Sequence, residues 1–60
     1  MRFQVLDSNK HLVSDSKTLA GAKRSANAFS KRERNTDFFV FDAMIGKIVT
    51  RYQNGSEHFL

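Results

Sequence analysis

Between Asp37 and Gln53 the chain reads DFFVFDAMIGKIVTRYQ, and no other stretch restricts the fold as much. Aromatic and β-branched residues crowd both sides of a short turn that ends at Gly46, where glycine accepts a positive φ without steric cost. Two such runs around a turn spell a β-hairpin, and hence an antiparallel sheet. A lone hairpin is marginal in water. The rest of the chain must therefore add strands and something to cover them.

A related pattern stands near the other end. In RFQVLD, Phe3 and Val5 share one side of a strand while Arg2 and Gln4 take the other. DSNK then reads as a turn, with Asp7 and Ser8 bonding to the backbone ahead and Asn9 supplying the positive φ. HLVS returns as a short second strand. VLDSNKHLVS and VFDAMIGKIVT thus share one hairpin plan in which an Asp opens the turn.

Between the hairpins, TLAGAKRSANAFSKR has the spacing of a helix. Thr18 is a good N-cap, with Asp15 or Ser16 as rivals one turn earlier, and Leu19, Ala22, Ala26 and Phe29 fall on one face. Gly21 costs about 1 kcal/mol relative to Ala inside a helix, so its presence points to close approach of the helix to the sheet. Lys31 and Arg32 suit the negative end of the dipole. The fold class is α+β: a small antiparallel sheet of three to four strands, β-β-α-β-β or β-α-β-β, with one helix packed on one face. Residues 1–53 make a single domain. Residues 54–60 read as a mobile tail whose Phe59 and Leu60 can fold back onto the body.

Sixty residues allow no second domain, and a chain this short has a thin margin of buried surface. There is no Cys, so neither disulfides nor thiolate metal sites support it. The core must rest on apolar side chains, and six Phe make that feasible.

One short helix covers only one side of a sheet. In FFVF, Phe39 and Phe41 point one way and Phe38 and Val40 the other, and both pairs are apolar. On the partner strand Ile48 and Tyr52 take one side and Val49 and Arg51 the other. With Phe39 and Phe41 under the helix, Phe38, Val40, Val49 and Leu6 are left as an apolar patch on the open face. Such patches mark contact with another molecule. The tail or a second copy of the chain are the other ways to cover it.

Ten Lys and Arg against six acids give a net charge of +4, which favours anionic partners. Lys17, Arg24 and Lys31 recur every seven residues opposite the apolar stripe, with Lys23, Arg32 and Arg34 beside them. This basic side either follows phosphates or is ordinary solvated surface. A base-stacking sheet is disfavoured by Asp37 and Asp42, which bracket FFVF.

Nothing in the chain spells catalysis. His11 and His58 are the two imidazoles, neither at metal-ligand spacing with a second donor, and the acids are dispersed. No Gly-rich phosphate loop occurs, and no Ser stands in a nucleophile context. No cofactor, metal or catalytic residue is expected, and the chain reads as a non-enzyme. No apolar run approaches the ~20 residues of a membrane span, and MRFQVLD reaches an acid too early for a signal peptide. A cytosolic protein with no membrane partner is the expectation.

TLAGAKRSA followed by FFVFDAMIGKIVTR resembles small bacteriophage-encoded proteins, some anti-CRISPR proteins among them. Thr18, Leu19, Ala22, Lys23, Arg24 and Ala26 carry the helix part of the likeness. Asp42, Gly46, Lys47 and Arg51 carry the hairpin part, so it spans Thr18 to Tyr52. The resemblance implies an inhibitor that binds a host bacterial protein or nucleoprotein complex in the host cytosol. Inhibitors of this kind that mimic DNA are acidic, unlike this chain. The expected partner surface joins Lys23, Arg24, Lys31, Arg32 and Arg34 to Phe38, Val40 and Val49. A small basic nucleic-acid-binding protein is the alternative, and a homodimer through the sheet a third.

Overall fold

A computed structural model describes residues 1–59. The elements run β1 (Phe3–Leu6), β2 (Leu12–Ser16), α1 (Leu19–Arg32), β3 (Phe38–Asp42), β4 (Lys47–Gln53) and β5 (Ser56–Phe59). They build one antiparallel sheet in the order β2-β1-β3-β4-β5, with the helix on one face. The α+β class is as expected, but the sheet has five strands rather than three or four.

The fifth strand replaces the mobile tail expected over 54–60. Asn54 and Gly55 both adopt positive φ, 53° and 79°, which is the two-residue turn whose twist matches paired strands. β5 then pairs with β4 from Gln53↔Ser56 to Thr50↔Phe59. The expectation that Leu60 folds back lies outside the described residues.

The first hairpin forms where expected, with one change in its turn. The N–H of Lys10 donates to the Asp7 carbonyl at 2.9 Å, and Lys10, not Asn9, takes the positive φ of 66°. A turn followed by one left-handed residue is the usual three-residue hairpin loop. The Asp7 carboxylate accepts from the N–H groups of Asn9 and His11, each at 2.9 Å. Asp42 repeats the plan in the second hairpin by accepting from Met44 N–H at 3.0 Å.

α1 is capped as read: Thr18 is extended and its hydroxyl accepts from Gly21 N–H at 3.1 Å. Its buried side is Ala22, Ala26 and Ser30, with Phe29 packed alongside. Leu19, expected in the stripe, is exposed. The alanines let the helix lie close to the sheet, where it touches all five strands. A Cβ at Gly21 would collide with Ser16 Oγ at the end of β2. The close approach inferred for Gly21 is thus to the β2–α1 corner.

The core consists of Phe3, Val5, Ala22, Ala26, Phe38, Val40 and Tyr52. The Phe29 and Phe38 rings stack across it with centroids 5.6 Å apart. Asp42 and Thr50 continue the same sheet side and are buried too. Register explains the choice of side: Val5 lies opposite Val40 and Phe3 opposite Asp42. The apolar side of β1 therefore draws Phe38, Val40 and Asp42 inward together.

Candidate functional site

This register corrects the apolar half of the expected partner surface. Phe38 and Val40 are 1% and 0% exposed and lie beneath the helix. Val49 is half-buried and packs against the core. The apolar residues of the open face are instead Phe39 and Phe41 of β3. Leu6 stands opposite Phe39, and Ile48 opposite Phe41. All four are half-buried. A register shift at Val40/Phe41 puts Ile48 opposite Phe41, so the simple alternation that joined Ile48 with Tyr52 fails along β4. Leu12 extends the patch at the edge, opposite Leu6 and exposed.

Two cations border this apolar strip. Lys10 Nζ sits 4.3 Å from the centre of the Phe39 ring, an attractive arrangement for an ammonium over an aromatic face. Arg51, opposite Phe39 on β4, holds Asp37 at 3.1 Å. Gln4 and His58 add polar groups through their pairing with Phe41 and Arg51. The open face is thus an apolar centre with a polar margin, the anatomy of a contact surface.

The acids that bracket FFVF play different parts from those expected. Asp42 turns inward and is closed off by Arg2, whose Nε and Nη2 each donate to its carboxylate at 3.0 Å. That fork, with Met44 N–H and the Arg2 charge, holds the Asp42 carboxyl below the usual carboxylate range despite burial. Neither Asp37 nor Asp42 stands as a free charge on the open face.

On the helix side, Lys23 departs from the expected basic set. Its ammonium bonds to Glu57 at 3.1 Å and lies 5.7 Å from the Phe59 ring centre. Glu57 also accepts from the Thr50 hydroxyl at 2.9 Å. That bond, then Lys23 and the neighbouring Tyr52, lowers the Glu57 carboxyl against its burial. Burial foremost, then Glu57, pushes the Tyr52 phenol up. Lys23 therefore ties α1 to β5, unlike the other basic residues of the expected set.

Arg24, Lys31, Arg32 and Arg34 are exposed, as is Lys17 just before the cap. None of them is ion-paired among the described residues. The expected two-part surface is therefore two surfaces: cations on the helix side, and an apolar strip on the opposite side of the sheet. The described residues enclose no pocket and bring no three His, Asp or Glu side chains together as a metal cluster. Among them no helix is long and apolar enough to cross a membrane. Compared with known proteins, the chain matches no family model, no curated protein and no solved structure.

Proposed function

We propose that the chain is a non-enzymatic binding protein of the small phage-encoded kind. It inhibits a host bacterial protein or nucleoprotein complex by occupying it in the cytosol. The observation that carries this reading is the half-buried apolar strip of Leu6, Phe39, Phe41 and Ile48 on the sheet face opposite the helix. Its aromatic anchors supply most of the affinity, and Lys10 and Arg51 at the margin set orientation. The helix cations act at longer range by speeding encounter with an acidic partner.

The test is capture from bacterial lysate, with and without nuclease treatment, on immobilised wild type and on Phe39→Ser/Phe41→Ser. A stoichiometric protein held by the wild type and lost from the variant is the expected result. Retention by both, or by neither, contradicts it. The unpaired cations of the helix side favour a second reading, a small basic nucleic-acid-binding protein. In that case only nucleic acid and its usual companions are recovered, and nuclease removes them.

A further inference from the structure

The outward side of α1 is built from few residue types. With Arg24 taken as the centre, Ala20, Ala28 and Lys31 lie within about 40° of it at 100° per residue, and all four are exposed. The helix carries no acid, and its first turn has none. Arg24 and Lys31 are thus flanked by the methyl groups of Ala20 and Ala28, which leave room for a rigid chain of charge to approach the backbone, while Glu33 stands exposed at the C-cap between Arg32 and Arg34. Asp42, Glu57 and Asp37 are all engaged by Arg2, Lys23 and Arg51, away from this side.

Helix stability explains only part of the pattern. Lys31 and Arg32 complement the dipole at the C-terminal end. Lys17 does the reverse, placing a positive charge at the positive end with no acid to offset it, and Arg24 lies mid-helix where the dipole is indifferent. Two cations are also held in place. The Lys31 stem lies across Gly55, close enough to meet a Cβ there at 2.9 Å. The Arg32 guanidinium rests 5.6 Å from the Phe29 ring centre. Side chains already held lose less freedom on binding.

We infer that the outward side of α1 lies along the sugar–phosphate backbone of a nucleic-acid duplex. Arg24 and Lys31 are its centre and Lys17, Arg32 and Arg34 its ends. Within the helix, Arg24 and Lys31 stand about 10 Å apart along the axis at 1.5 Å per residue, and Lys17 and Arg34 lie just beyond its two ends. A rigid helix carrying its cations on one side suits a stiff duplex better than a flexible strand. The inference rests on the nucleic-acid part of the function proposed above and gives it a face of its own, leaving the sheet free to hold a protein at the same time.

The test uses the purified full chain and a fluorescein-labelled DNA duplex of about 20 base pairs, read by anisotropy against salt. Five cations predict a log–log slope of about −4.5, or a loss of several hundred-fold in affinity between about 50 and 200 mM salt. Arg24→Ala/Lys31→Ala should reduce the slope by about two. Lys47→Glu, with the same change in net charge at an exposed residue outside both surfaces, should leave it unchanged. Equal effects from the two variants, tighter binding of the single strand, or displacement of the duplex by an equal charge of polyglutamate would each overturn the assignment. No host protein is present, so failure here leaves the sheet-face capture standing, and failure of that capture leaves this result standing.

Discussion

Ser30 is fully buried on the helix, and its hydroxyl joins two elements. It donates to the Asn27 carbonyl at 2.8 Å and accepts from Gly55 N–H at 3.0 Å. Ser30→Ala improves helix propensity slightly but leaves the turn N–H without its acceptor. A net loss of about 1–2 kcal/mol is expected in urea unfolding; an unchanged midpoint would show that the bond does not hold the turn. Beside it, the Asn54 side chain accepts from Asn35 N–H at 2.8 Å, fixing the residues after the helix to the same turn. The Asn54-Gly55 pair is legible in the sequence as a hairpin turn. The four residues that follow, SEHF, show no apolar alternation, because β5 is an edge strand attached through Glu57 rather than through a buried side chain. Lys10 is a second case at this scale. Asn tolerates positive φ better than Lys, yet hairpin geometry places the left-handed residue third in the loop, where this chain has Lys.

At the scale of elements, the helix, its cap and both Asp-led hairpins are legible because local chemistry decides them. The side that β3 presents to the helix is not. Phe38/Val40 and Phe39/Phe41 are equal in hydrophobicity, so only the pairing with β1 separates them. Asp42 turns inward with Phe38 and Val40 because the exposed Arg2 closes over its carboxylate, a pairing that only the β1–β3 register reveals. The apolar half of the candidate surface was misplaced for this reason, while the exposure of Arg24, Lys31 and Arg32 needed only helix periodicity. β5 yields a prediction of its own. Truncation after Gln53 uncovers Tyr52 and removes the Glu57 partner of Thr50 and Lys23. A loss of at least about 2 kcal/mol is expected, read as a fall of about 8 °C or more in Tm. A melt unchanged by truncation would return residues 54–60 to the status of a tail.

For the whole molecule, both carboxylates lowered by their partners lie at the margins of the core, Asp42 at one end and Glu57 across from α1. Each holds its proton less tightly folded than unfolded. Their stabilisation is complete above the ordinary carboxylate range of about 4 and is lost as pH falls through the depressed folded values. Stability should hold down to about pH 5 and then fall with acid. Asp42→Asn should flatten that fall, which urea midpoints between about pH 2 and 7 will read; an acid limb as steep as the wild type's would remove Asp42 from it. The placement of every surface depends on which aromatic pair of β3 is the core, and unfolding Phe38→Ala and Phe39→Ala side by side in urea tests this most directly. With Phe38 beneath the helix, Phe38→Ala should lose about 3–5 kcal/mol, enough to leave so small a domain largely unfolded. Phe39→Ala should stay folded and lose about 1 kcal/mol or less. The reverse order would put Phe39 in the core and return Phe38 and Val40 to the open face.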